Sequence, residues 1–470
     1  MIFLVLIIAF FLRVINLNQS FWLDEAISAI SIQQYSLVDL VVKFMPGDFH
    51  PPLHYLLIFF WGKVFGYSEI SLRLPSVLLG VASVYIVYLL VKTLFNKRIG
   101  IFSSLIFSFN PLLIYYSQEA RMYSLNVFLT VTSFLFFISF LKNKKNTMLP
   151  LTIANILLIY SDYVLFPILL VQILYLLIWG KYKLKNFLAS LFLTLLSFIF
   201  WLPIFLNQLG LGEKTALTLS KWSEVVGGLS FKNLSLIFIK FIIGRISLDN
   251  KVIYGLLSLA LFIFYLFLIL FGIKKTRKEN GLLLLWFTVP ILFLGLISIY
   301  LPVLSYQRLL YTLPAMIILT AQGICILSRR WQILLISLVL SISLVAVFVF
   351  NINPKFQREN WREAIHFIEN QKNISVTIFE DNNLIAPVKY YAKNTDNLIG
   401  GLKRIPVMTK DDLIDLNKLL RNDPKVYLFE YLVDITDPKR LLAQQLVSIG
   451  YNKMQTFNFN GVGFVTLYIR

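Results

Sequence analysis

Apolar residues run through this chain in blocks long enough to cross lipid. Ile2 to Leu12 is the first, eleven apolar residues without a break. Similar blocks fall at about 2–17, 72–91, 99–116, 124–141, 148–161, 164–179, 187–206, 252–273, 281–300, 309–327 and 331–350. A helix needs about 20 residues to cross about 30 Å of hydrocarbon. The pattern therefore predicts a polytopic α-helical membrane protein with about eleven spans.

The polar connections give the orientation. Alternate loops read KTLFNKR (92–98), KNKKN (142–146), KYKLK (181–185), KKTRKEN (274–280) and SRR (328–330). Together they hold fifteen Lys and Arg against one acid, Glu279. Basic loops stay in the cytoplasm, and all five fall on one side if the N-terminus is inside. The N-terminal block has no basic n-region or small-residue cleavage site, so it reads as a retained span.

The extracytoplasmic side then receives the first loop (18–71), YSQEARMY (116–123), SDY (161–163), the loop 207–251, YLPVLSYQR (300–308) and everything after 350. LDEAISAISIQQYSLVDLVVKF sets Leu37, Leu40, Val41 and Phe44 on one face, the pattern of an amphipathic helix on the membrane surface. PPLHYLLIFFWGKVFG and NLSLIFIKFIIGRI, with Lys240 and Arg245, read as interfacial too. Residues 351–470 carry 16 Lys and Arg and 13 Asp and Glu, mixed along the segment. There NWREAIHFIEN has helical spacing, while SVTIFE, KVYLFEYL and GVGFVTLYI read as strands. In DPKRLLAQQL, Asp437 is expected to cap a helix with Pro438 at its first position. The tail is thus expected to be a small extracytoplasmic α/β domain, and 1–350 the transmembrane domain that includes the first outer loop.

Composition agrees. The chain is 58% hydrophobic and 14% charged, with mean hydropathy +0.75; soluble domains are about 25% charged. The net charge of +19 sits largely in the inter-block clusters, so it reports topology rather than nucleic-acid binding. One cysteine, Cys325, and three histidines argue against a redox or multi-histidine metal centre.

The outer side collects the candidate chemistry. Asp24 and Glu25 follow Phe21 and Trp22. They read either as charges complementing a helix start or as a general base in a partly apolar setting. His50 and His54 flank two prolines in GDFHPPLHYLL. Two histidines without a third ligand make a weak metal site, so His50 reads as a hydrogen-bonding group and His54 as packing. Glu119 and Arg121 lie between two blocks, where charge at membrane depth usually lines a cavity. Arginine's planar fork suits phosphate. Arg308 reads equally as a phosphate ligand or a snorkelling anchor, and Asp162 as a turn residue. Cations and acids near the outer interface, without a P-loop or Rossmann fingerprint, point to an anionic lipid whose headgroup reacts outside the cytoplasm.

Three motifs occur in order: SFWLDEAIS, HPPLHYLLIFFWGKVFGYSEISLRLPSVLLG and NPLLIYYSQEARMYSL. Together they resemble the bacterial family 39 glycosyltransferases, membrane enzymes of the GT-C fold. These are related to the protein O-mannosyltransferases and the lipid A aminoarabinose transferase. The resemblance covers about residues 15–130; later spans agree in character, and the tail in its ENWREAIHFI opening. It implies transfer of a sugar from a polyprenyl-phosphate donor to a glycan, lipid or protein acceptor on the outer face of the cytoplasmic membrane, with inversion. It also implies Asp24 as base beside Glu25, with His50 in the His-Pro-Pro motif. Many members carry histidine where this chain has Asp162. Arg121 and Arg308 would stabilise the phosphate leaving group, with His50 and Glu119 in the same substrate site. The residues give a divalent metal no support. The rival classes are a lipid-linked oligosaccharide ligase or polymerase using a diphosphate donor, and a non-enzymatic transporter. Charges gathered at one face, without inverted repeats, disfavour the transporter.

Overall fold

A computed structural model describes residues 1–219, 227–273, 277–371, 376–420 and 423–470. The chain forms two compact units. One comprises Met1–Leu17, Tyr35–Lys214 and Ser223–Ile352, the other Asn18–Gln34, Thr215–Trp222 and Asn353–Arg470.

The first unit is helical. Among the described residues five helices are long and apolar enough to cross a membrane: Glu69–Leu94, Tyr123–Leu141, Lys251–Ile273, Arg277–Ile297 and Arg329–Ile352. Two bent pairs raise the number to seven: Lys97–Phe109 with Pro111–Ser117, and Lys181–Phe198 with Leu202–Thr218. The remaining four expected spans fall on shorter apolar helices, Ile2–Val14, Met148–Ser161, Phe166–Trp179 and Leu313–Ile326. At 1.5 Å per residue a 14-residue helix reaches only about 20 Å, which is why length separates these four from the rest.

The first pair bends by 62° at Asn110. Pro111 excludes Asn110 from helical geometry, and Asn110 adopts φ −62, ψ 122. Its side chain then caps the next helix through the amides of Leu112 and Leu113. Small residues let helices approach closely: a Cβ on Gly80 would lie 2.3 Å from Ser117 Oγ, and one on Gly323 1.9 Å from the carbonyl of Leu268. The Tyr123–Leu141 helix is 72% buried over its apolar window, whereas Lys251–Ile273 is 22% buried. The first is therefore central, and the second turns Leu256, Leu259, Ile263 and Phe267 outward, as lipid requires.

The second unit holds a five-stranded sheet: β1 (Val376–Phe379), β2 (Leu398–Gly400), β3 (Lys425–Glu430), β4 (Asn452–Phe459) and β5 (Gly463–Ile469). The order is β2–β1–β3–β5–β4, with β2, β1 and β3 parallel and β5 antiparallel to both neighbours. Strand alternation divides the core. Val376, Ile378, Val426 and Leu428 pack with Leu442 and Leu446 on one face. Phe379, Tyr427 and Phe429 pack with Trp361 and Ile365 on the other. β1, β3 and β5 coincide with the three strands expected; β2 is too short and β4 too polar to read as strands.

Two expectations change here. The single amphipathic helix after Leu23 is two, Leu23–Gln34 and Leu37–Asp39, because Ser36 caps a new start by accepting from the Asp39 amide. They belong to different units, so the first outer loop divides at Tyr35. The helix expected at Pro438 begins at Leu441; Asp437 still accepts from the Leu442 amide at 2.8 Å.

Candidate functional site

In the second unit, the helix Leu23–Gln34 opens with both acids in its first turn. They have different surroundings. Glu25 is fully buried and lies 3.7 Å from Arg358 Nε, itself buried. Asp24 is part-exposed. Beside it stands Glu359, which accepts from the Leu23 amide (3.2 Å), Trp361 Nε1 (2.8 Å) and the Tyr431 hydroxyl (3.0 Å). Burial pushes the Glu359 carboxyl up to about 7, and the Asp24 charge adds to that rise. Phe21 anchors the segment: its amide donates to Tyr391 Oη at 2.7 Å, and its ring meets Tyr390 edge-on.

In the first unit, His50 and Arg121 come together across 71 positions. His50 Nδ1 lies 3.1 Å from Asp48 Oδ2, and its Nε2 lies 3.3 Å from an Arg121 guanidinium nitrogen. The buried Tyr55 hydroxyl faces both Asp48 and Arg121. Burial alone would raise Asp48, but His50 and Arg121 outweigh it and hold the carboxyl down at about 2. The loop carrying His50 is fixed from the helix Leu202–Thr218: Gln208 Nε2 donates to the Met45 and His50 carbonyls, and Asn207 to that of Pro46. His54 lies 3.1 Å from the Ala120 carbonyl, which supports the turn bearing Glu119 and Arg121.

Glu119 and Arg121 are both buried. The Glu119 charge acts on Tyr116 and Arg245, while the Arg121 charge acts on Asp48, His54 and Tyr55. Arg245 donates to the Tyr115 hydroxyl and stacks 4.8 Å from that ring's centroid, a cation–π geometry. It stays exposed because Gly244, at φ +67, ends the preceding helix and turns the chain. Lys240 Nζ ties that turn down through the carbonyls of Arg245 and Ile246. Arg308 donates to the Pro302 carbonyl at 2.8 Å within its own loop; Tyr306 from that loop acts on Arg245 and Tyr116. Asp162 caps the turn 163–165 and accepts from Asn126 at 3.0 Å. Among the described residues no three of His, Cys, Asp and Glu gather to hold a metal.

Sequence reading missed Asp48, Tyr55, Arg245 and Glu359 as site residues. Asp48 and Tyr55 sit in the motif already singled out, and Arg245 was legible as a charge in an apolar segment. Only the fold joins Glu359 to Leu23.

Residues 49–206 match the family described as dolichyl-phosphate-mannose-protein mannosyltransferase. The folds of ArnT from Cupriavidus metallidurans, apo and bound to undecaprenyl phosphate, match with TM-scores of 0.60 and 0.56. Sequence identity is 13% and 12%, over 99% of this chain and 96% of theirs. This chain shares the fold of these GT-C glycosyltransferases, and the family match lies within residues 49–206. A second GT-C neighbour is the oligosaccharyltransferase of Archaeoglobus fulgidus tethered with an acceptor peptide, with a TM-score of 0.56 and 13% identity over 99% of this chain and 73% of the other. Curated protein sequences give no significant match.

Proposed function

We propose that the chain is a membrane glycosyltransferase that moves a sugar from a polyprenyl-phosphate donor to an acceptor on the extracytoplasmic face of the cytoplasmic membrane, with inversion. In this reading all eleven apolar segments cross or enter the membrane, the N-terminus is inside, and residues 353–470 lie outside. The observation that carries it is the extent of the fold likeness: 99% of the chain aligns with a transferase seen with undecaprenyl phosphate bound. The site chemistry supports it. Arg121, backed by His50, and Arg245, held by Tyr115, are cations suited to a phosphate.

The acceptor's nucleophilic atom attacks the anomeric carbon and gives its proton to the Asp24 carboxylate. The bond from that carbon to the phosphate oxygen breaks, and its electron pair leaves with the polyprenyl phosphate. Arg121 and Arg245 stabilise the charge that develops there. Glu25, held by Arg358, positions its neighbour. Arg308 holds the loop that brings Tyr306 toward Arg245.

A second reading, transfer of a preassembled oligosaccharide from a diphosphate donor, draws on the oligosaccharyltransferase likeness, which covers less of that longer chain. One experiment tests both. Purified protein is incubated with synthetic undecaprenyl-phosphate hexoses and pentoses, and with their diphosphate counterparts, in the presence of membrane extract as acceptor. Release of undecaprenyl phosphate from a monophosphate donor is expected. Release of undecaprenyl diphosphate, from diphosphate donors only, would establish the second reading, and release of neither lipid would overturn both.

A further inference from the structure

The ENWREAIHFI segment contributes a carboxylate that the proposed chemistry has not used. Glu359 reaches the helix Leu23–Gln34 at its first residue and accepts that residue's amide at 3.2 Å. A helix start leaves its first amides without intrahelical partners, so Glu359 serves as a cap supplied from 336 residues away. The next residue is Asp24. Glu359 thus joins Asp24 and Glu25 at this helix start: Asp24 is part-exposed, Glu25 is buried against Arg358, and Glu359 is enclosed by Trp361 and Tyr431. Gly461, at φ +73, closes the site from the β4–β5 turn: a Cβ there would lie 2.8 Å from Glu359 Cγ.

We propose that Glu359 is a positioning residue for Asp24, holding in place the helix start that carries it, most firmly when Glu359 is ionised and its three hydrogen bonds are charge-assisted. The proposal rests on the reading of Asp24 as the base. Burial raises the Glu359 carboxyl, and the Asp24 charge opposes its ionisation further, which couples the two acids. Asp24 acts on Glu359 as a charge, the Tyr431 hydroxyl, the Trp361 indole and the Leu23 amide donate to it, and the buried Arg358–Glu25 pair lies at the adjacent residues. Burial places the Glu359 carboxyl at about 7, so its ionisation falls in the working range of an enzyme. The second unit would then supply part of the catalytic control.

The sign for stability follows from the raised value. A carboxyl that holds its proton more tightly when folded stabilises the fold at low pH, and the contribution is lost as pH climbs from about 4.5 to about 7. The test uses the full-length protein in detergent and reads the melting temperature from pH 4.5 to 8.5. Wild type should lose stability across that window. Glu359→Gln keeps the size and an acceptor oxygen, and its profile should fall less steeply, the remainder coming from groups such as Glu380, which burial pushes up to about 9. Asp24→Asn should move the wild-type midpoint to lower pH. A midpoint unmoved by Asp24→Asn, or a Glu359→Gln profile like that of wild type, would overturn the coupling. Turnover of the best undecaprenyl-phosphate sugar is then read over the same range. Wild type should show a rising limb near pH 7. Glu359→Gln should lack that limb and turn over more slowly than wild type at pH 8, the two converging at pH 5.5, where wild-type Glu359 is protonated. Full activity in Asp24→Asn would sink the base assignment and leave the measured coupling standing. Loss in Asp24→Asn, with an unaltered limb in Glu359→Gln, would overturn only the role of Glu359.

Discussion

Arg358 Nε stands 3.7 Å from the Glu25 carboxylate, and neither side chain meets solvent. This pair joins the acidic motif near the N-terminus to the opening of the α/β region. It accounts for one acid of the adjacent two on structural grounds. Removing one partner strands a buried charge, which typically costs about 3–5 kcal/mol. Glu25→Gln and Arg358→Met should each lower the melting temperature of the purified protein sharply. The double variant should recover part of the loss, which a double-mutant cycle on thermal unfolding measures.

Asp24 has no such burial, so its removal separates chemistry from folding. Asp24→Asn should abolish sugar transfer, with membrane insertion and melting temperature close to wild type. Release of undecaprenyl phosphate is the readout, and near-normal release would remove Asp24 from the mechanism.

Arg121 and Arg245 are assigned to the donor phosphate. Losing a charge-assisted hydrogen bond costs about 1.5–3 kcal/mol, or about ten- to a hundredfold in affinity. Arg121→Ala and Arg245→Ala should each weaken undecaprenyl phosphate binding to that extent, and the lysine variants less. His50→Ala should weaken it more mildly, because it removes only support for Arg121. Unchanged affinity in Arg121→Ala, measured by titration in detergent, would assign that residue to structure.

The Asp48 carboxyl is held down at about 2 because His50 and Arg121 outweigh its burial. A lowered carboxylate stabilises the fold above its unfolded value, near 4, and that contribution disappears as pH falls through about 2. The shift corresponds to about 2 kcal/mol. Wild type should therefore lose stability between about pH 4 and 2, and Asp48→Asn should start lower and change less. Melting curves from pH 5 to 2 check this.

The orientation is tested by a reporter fused after Arg470. An enzyme that works only in the cytoplasm should stay silent there, and one that works only outside should be active. The reverse pattern would mean that an odd number of the apolar segments fails to cross, with the short pair Met148–Ser161 and Phe166–Trp179 the first suspects.

The sequence by itself determined the helical membrane class, the order of the apolar segments and three of the five strands. Those features rest on periodicity and run length, which are local. It also brought out Asp24, His50 and Arg121 as chemistry-bearing, because a charge beside lipid is costly without a function. Only the tertiary structure decided which charges meet. His50 and Arg121 are joined across 71 positions, and Glu359 and Leu23 across 336. No periodicity encodes such pairings, since they follow from how helices and strands pack. The same holds for the two acids at 24 and 25. Adjacent on a helix, their side chains point about 100° apart. Packing put Glu25 against Arg358 in the interior and left Asp24 part-exposed, a difference of environment that the letters Asp-Glu cannot carry.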